Sequence, residues 1–434
     1  MKKEQFNQEL LAFLDASPTP FHAVATMAEH LEAAGFRRLE ESHEWSLKPG
    51  GRYYVIRNGS SIVAFSGIKT PMELTGVRLF GAHTDSPCLK LKPQPEIHRK
   101  GFYQLGVEVY GGALLNPWFD RDLSIAGRVT CQSSDGSICN LLVNWKRPVA
   151  TIPSLAIHLD REVNSSRSIN PQTQLPPVVM QVEDSQKKDF REQLLERVKA
   201  EHEGTDVVRV LDFELCLYDV QGASLVGMSD QFITSARLDN LLSCYTGLQA
   251  LLNSNGEYPC ILVCNDHEEV GSTSAEGASG PFLRSLLLRL TEEEGRLGQT
   301  LSRSLMFSAD NAHGIHPNYM DKHDDNHGPI LNQGPVIKIN ANQRYATNSV
   351  TSSFYRQLSE QLDLPYQVFV VRTDMACGST IGPLTAAELG VKTLDIGAPQ
   401  WAMHSIRELC GTEDAYHLFK VTQAFFNTEK LPVV

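Results

Sequence analysis

Short apolar runs that end abruptly in histidine or carboxylate residues recur along this chain, and they constrain its fold more than any other feature. Residues 77–81 lead to His83 and Asp85. Residues 260–264 lead to Asp266, His267, Glu268 and Glu269. Residues 304–308 lead to Asp310 and His313, residues 366–371 to Asp374, and residues 391–396 to a loop holding His404. Runs of this length read as buried strands. Ionisable groups at the end of a buried strand are costly unless paired, hydrogen-bonded or metal-bound. In open α/β sheets that end is also where ligands collect. Parallel strands put equivalent ends on one edge, so groups far apart in sequence can converge. The plain alternative is a set of solvated acidic loops.

The rest of the pattern supports a sheet of this kind. Residues 4–14 and the stretch from Phe21 to Leu31 have helical spacing. Asn58-Gly59 between two strand patterns signals a hairpin. After Ser235, helical and strand patterns alternate to a last helix at about 412–427, which implies an α/β fold with a largely parallel sheet covered on both faces. Between about 91 and 231 the texture changes to short alternating segments with many turn signals and one clear helix, near 186–202. The expected organisation is a discontinuous domain, 1–92 and 233–434, carrying a mostly β insertion, 93–232. The loop 164–177, rich in Ser, Asn, Gln and Pro, is expected to be exposed or used in assembly.

Composition narrows the function. The 434 residues carry a net charge of −12 and no long basic run, which argues against nucleic-acid binding. No apolar stretch approaches the length of a membrane span. The nine cysteines form no CxxC pair, so reduced thiols in a cytoplasmic protein are expected.

The ends of the runs offer His, Asp and Glu but no compelling Cys, which argues against a structural zinc cage. Mixed nitrogen and oxygen donors suit catalytic zinc, cobalt or manganese. Two metals about 3.5–4 Å apart need a bridging carboxylate. Five segments together, Gly81-Ala82-His83-Thr84-Asp85-Ser86-Pro87, Ser235-Ala236-Arg237-Leu238-Asp239-Asn240, Asp266-His267-Glu268-Glu269-Val270-Gly271-Ser272, Ser308-Ala309-Asp310-Asn311-Ala312-His313 and Met403-His404-Ser405-Ile406-Arg407-Glu408, resemble the M18 family of metalloaminopeptidases. The likeness runs from the first helices to the last, with the segments in the family's order.

The resemblance implies a di-zinc exopeptidase fold and two divalent ions per subunit, Zn²⁺ with Co²⁺ or Mn²⁺ as alternatives. His83 and Asp310 would bind one ion, Glu269 and His404 the second, and Asp239 both. A cis Asp239–Asn240 peptide would be diagnostic of this kind of site. Glu268 would be the general base, taking a proton from water and passing it to the leaving amine. Asp85 would hold His83 in its ligating tautomer; its plain alternative is a turn-forming Asp before Ser86-Pro87. Asp266 and His267 receive supporting roles only.

The implied reaction is hydrolysis of the first peptide bond, with a preference for acidic N-terminal residues. The segment 336–348 resembles the family's substrate pocket, which makes Lys338 and Tyr345 candidates for a substrate carboxylate. The plain alternative for Lys338 is an exposed strand face. The resemblance further implies that the insertion builds dimers and that these assemble into a homododecamer, in which His158 enters a neighbouring subunit's site. Alone, His158 reads as a core residue on a strand. Other readings are a neutral-residue aminopeptidase, a di-zinc deacylase or amidohydrolase, and a non-enzymatic oligomeric scaffold.

Overall fold

A computed structural model describes residues 1–183 and 188–432. The chain divides into two compact units. The first comprises 1–86, 223–403 and 408–434; the second comprises 87–222 with 404–407. Among the described residues, the first unit carries a nine-stranded and a five-stranded sheet, and the second a six-stranded sheet.

At the centre of the nine-stranded sheet, Cys260–Asn265, Arg78–His83, Leu305–Ala309 and Lys392–Gly397 lie side by side and parallel. The flanks reverse direction. Ser61–Ser66 pairs antiparallel with Cys260–Asn265, and Val336–Lys338 pairs antiparallel with Lys392–Gly397. The strands Arg78–His83, Cys260–Asn265 and Leu305–Ala309 are buried along their whole length, which explains why apolar residues dominate them.

Successive strand residues face opposite sides, and the two sides belong to separate cores. Phe80, Leu262, Cys264 and Phe307 pack with the helices Lys3–Ala16, Leu238–Leu252 and Thr412–Phe426. Leu79, Ile261, Val263 and Met306 pack with Phe282–Thr291, Glu294–Ser302 and Ile381–Leu389. On the first face Phe6 lies 5.2 Å from the rings of both Tyr245 and Phe419. Each aromatic or aliphatic side chain so buried contributes about 1.5–3 kcal/mol.

The five-stranded sheet runs through Ser224–Val226, Phe232–Ser235, Glu408–Gly411, Pro399–Trp401 and Ala312–His313. Its strands are only two to four residues long, too short for periodicity to mark them. The second unit is an antiparallel sheet whose core includes Leu89, Tyr103, Trp118, Val129 and Leu215. The helix expected near 186–202 is present as Phe190–Glu201, and residues 186–187 lie outside the described ones. Residues 164–177 are mostly exposed and include the short helix Pro171–Gln174. Among the described residues no helix is long and apolar enough to cross a membrane, and all nine cysteines are free.

Candidate metal centre

His83 is the last residue of its strand and is 1% exposed. Its Nδ1 lies 3.1 Å from the carbonyl oxygen of Asp85 and 3.4 Å from Asp85 Oδ1. An Nδ1–H bonded to these oxygens leaves Nε2 as the donor toward a metal. That atom faces three carboxylates: Asp239 Oδ1 at 3.4 Å, Asp310 Oδ1 at 3.8 Å and Glu268 Oε2 at 4.0 Å. Donors sharing one tetrahedral zinc at about 2.0–2.1 Å stand roughly 3.4 Å apart. The spacing and the N/O chemistry of the set therefore fit a metal. Two donor groups, His83–Asp239–Asp310 and His83–Glu268–Glu269, each close to within 4.8 Å.

Burial alone would push the His83 imidazole down, but the Asp239, Asp310 and Asp85 carboxylates outweigh it and hold it well above its ordinary value. Glu268 moves the other way. Burial, reinforced by Asp310, Asp239 and Asp85 against the opposing pull of His83, raises it to about 7.

Local backbone aims each group. His267 and Gly271, at φ 66° and 97°, bracket the single turn Glu268–Val270. Asp85, fully buried, accepts from the backbone N–H groups of Glu268 at 3.1 Å and Glu269 at 3.0 Å. One carboxylate therefore orients both the imidazole and the two-glutamate turn. Asp266 and His267 lie beside this turn: the Asp266 N–H donates to Ser61 Oγ, and His267 Nδ1 meets Ser274 Oγ at 2.8 Å.

The helix Leu238–Leu252 is not regular at its start. Arg237 is left-handed, while Asp239 and Asn240 have non-helical backbone angles. The Asp239–Asn240 peptide is cis. The Asn240 side chain donates to the Ala309 carbonyl at 2.8 Å, next to Asp310. Gly397 is required beside Asp310, since a Cβ there would sit 1.9 Å from the Asp310 carbonyl oxygen.

Lys338 is 2% exposed, not on a solvated face. Its ammonium lies 3.3 Å from Asp310 Oδ2 and 5.3 Å from the centre of the buried Tyr345 ring. Asp374 behaves differently. It is exposed and forms two hydrogen bonds with Arg372. Its strand, Gln367–Phe369, runs parallel to Val336–Lys338 and hence opposite to the central four.

Two candidates belong to the second unit. His404 is held there with Nδ1 3.1 Å from the Gly112 carbonyl oxygen, an arrangement that presents Nε2 as a donor. His158 lies in an exposed turn rather than in a core strand, among the exposed side chains of Leu155, Ile157 and Leu159. The reading of His158 as a core strand residue failed because most of the apolar residues around it face solvent.

The second unit also holds a cavity of about 840 Å³, lined by groups such as Tyr103, Trp145 and Arg197. It is larger than the 300 Å³ cavity of the first unit, lined by His313, Phe369 and Trp401, but none of the metal-donor groups lines it. Donor chemistry, not cavity size, marks the centre. Sequence reasoning missed Asn311, Gln400 and Glu408, which are all buried beside it. Glu408 and Asn311 had one signal each, their places in the His404 and Asp310 segments.

A cluster of one imidazole and several carboxylates at the ends of parallel strands defines a metal-dependent enzyme of α/β fold. A family model described as "Aminopeptidase I zinc metalloprotease (M18)" matches residues 13–426. A Pseudomonas entomophila protein described as "Probable M18 family aminopeptidase 2" is 59% identical over 431 residues, covering 99% of this chain and all of the relative. Among solved structures, a cryo-EM structure of an Ape4–Nbr1 complex superposes with a TM-score of 0.93 at 40% identity, covering 98% of this chain and 86% of that one. The S. cerevisiae mApe1 dodecamer follows at 0.84 and 30%, covering 98% and 96%. The chain belongs to the M18 family of zinc metalloproteases and is an aminopeptidase, a hydrolase acting at peptide N-termini.

Proposed function

We propose that this aminopeptidase is dinuclear and prefers acidic N-terminal residues. The observation that carries the dinuclear reading is the convergence of Asp239, Asp310 and Glu268 on His83 Nε2, with Glu269 in the adjoining group. His83 and Asp310 would hold one ion, Glu269 and His404 the other, and Asp239 both. His404 enters through the family resemblance and through its Nδ1 contact, which frees Nε2. When bound, the ions polarise a carbonyl and lower the pKa of water. Glu268 removes a proton from the attacking water and returns it to the departing amine. Asp85 keeps His83 and the Glu268–Glu269 turn in register. Zinc is the expected metal, with cobalt and manganese as alternatives.

Lys338 supports the acidic preference, because a buried cation over Tyr345 is suited to a substrate carboxylate. Its present partner, Asp310, is also a proposed ligand, so pocket and metal site share one charge network. A homododecamer built from dimers through the inserted unit is proposed from the mApe1 assembly. The exposed Leu155, Ile157 and Leu159 beside His158 support the turn's burial against a second copy, where His158 would contact the neighbour's substrate. A cytoplasmic location fits the free cysteines.

The test joins metal analysis to a substrate panel of aspartyl, glutamyl, leucyl and N-acetylated peptides. Two ions per subunit, fastest cleavage of acidic substrates and rejection of blocked N-termini are expected. Preferred cleavage of acetylated peptides would indicate a deacylase, and metal uptake without hydrolysis would indicate a scaffold. Glu268→Gln should keep the metals and lose about a hundredfold to ten-thousandfold in kcat; near wild-type turnover would remove Glu268 as the base. Lys338→Met should depress aspartyl cleavage far more than leucyl cleavage at unchanged metal content. Equal losses would sink the pocket assignment.

A further inference from the structure

A carboxylate that serves two cations meets the strictest positional demand in the centre, so the groups that hold Asp239 matter most. Its preceding peptide, Leu238–Asp239, is gripped at both poles by one buried network. The Asp239 N–H donates to Glu408 Oε2 at 3.0 Å. The Leu238 carbonyl accepts from Asn311 Nδ2 at 2.8 Å. The ends of this grip are joined: Asn311 Nδ2 also donates to Gln400 Oε1 at 2.8 Å, and Gln400 Nε2 lies 3.4 Å from Glu408 Oε1. Glu408, Gln400 and Asn311 are 1%, 2% and 2% exposed.

The ring has a direction. The Leu238 carbonyl can only accept, so Asn311 must present its amide nitrogen. Gln400 must then offer oxygen to Asn311 and nitrogen to residue 408. Residue 408 thus receives two donors, one from Gln400 and one from the Asp239 backbone. A carboxylate, which only accepts, meets both. A glutamine would turn its NH₂ toward one of them. Asn311 directly follows Asp310, so the same ring ties Asp239 to the strand end that carries another proposed ligand.

We propose that Glu408 and Gln400 are positioning residues: through the Leu238–Asp239 peptide they set where the Asp239 carboxylate stands relative to Asp310. Neither touches substrate. The inference rests on the dinuclear reading, because it assigns the network's purpose to the spacing of metal donors. Partners that orient ligands in this way typically change metal affinity by about 10–100-fold when removed.

The test compares wild type, Glu408→Gln and the double variant Gln400→Glu with Glu408→Gln. The double variant reverses the polarity between positions 400 and 408. Its new carboxylate at position 400 accepts from Asn311 and from the new amide at position 408. The oxygen of that amide accepts from the Asp239 N–H, so the bonds of this ring are restored at the same net charge. Zinc affinity is read by competition with a chromogenic chelator, the cobalt-substituted forms by their visible absorption, and the metal-free forms by thermal unfolding. Glu408→Gln should lose about 10–100-fold in affinity for at least one ion, with a shifted cobalt band and a fall in kcat larger than any change in KM. The double variant should return to within about threefold of wild type in affinity and regain the original band.

Unchanged affinity and an unshifted band in Glu408→Gln overturn the proposal. So does a double variant as impaired as the single one, or one that fails to fold. If Glu408→Gln itself does not fold, the double variant alone decides. Wild type is titrated first: a wild type that takes up fewer than two ions defeats the dinuclear reading instead, before either variant is considered.

Discussion

Two strands of the nine-stranded sheet lead into aspartate, and the two acids have opposite fates. Asp310 follows Leu305–Ala309, is 9% exposed, and faces His83 and Lys338. Asp374 comes after Gln367–Phe369 and sits at the surface in a pair with Arg372. In sequence both are an apolar run followed by a carboxylate. The difference is direction. The first strand belongs to the parallel centre, whose C-terminal ends share an edge, while the second runs against it. Desolvation then separates them further, because a buried carboxylate must find cations or donors and an exposed one need not.

The contrast breaks most sharply at Asp310. Asp310→Asn should reduce zinc affinity by more than the roughly 10–100-fold typical of losing a partner that only orients a ligand, read by equilibrium dialysis. It should also destabilise the metal-free protein by about 3–5 kcal/mol, since Lys338 would stay buried without its counter-charge. Retained affinity would show that burial beside His83 does not make a ligand.

A smaller effect tests the desolvation half. Glu268 is raised to about 7 in the folded, metal-free chain and titrates near 4.3 when unfolded. Between those values the folded state holds more protons, so this group's contribution falls as pH rises from about 4.3 to 7 and then levels off. Metal-free Glu268→Gln should therefore be more stable than wild type at pH 8, by about 3–4 kcal/mol, as read by thermal unfolding. The gap should close by about pH 4. A constant gap across that window would contradict the assigned shift. Asp374→Asn completes the series: activity within about twofold and stability within about 0.5 kcal/mol of wild type are expected, and a large loss would erase the distinction between the two acids.

Much of this was readable beforehand where chemistry and periodicity coincide. The central strands show as largely apolar runs because both faces are buried, and His83, Glu268, Glu269 and Asp310 stand where those runs stop. The five-stranded sheet was not readable, because two-residue and four-residue strands carry too little periodicity. Asp239 came only from resemblance; its helix-like surroundings conceal a non-helical turn. Asn311 and Glu408 lay within the resembling segments without an assigned role, and Gln400 lay outside them, since a hydrogen-bonded ring among distant residues has no period.

The sequence by itself determined the class of chemistry: imidazole and carboxylates at apolar strand ends, without cysteine, and in an order shared with one peptidase family. Only the tertiary structure decided which acids converge. Strand direction, the turn at 237–240 and the burial of Lys338 depend on pairing across hundreds of residues. Local composition records what a residue can do, whereas desolvation and donor geometry, which exist only after packing, decide what it does.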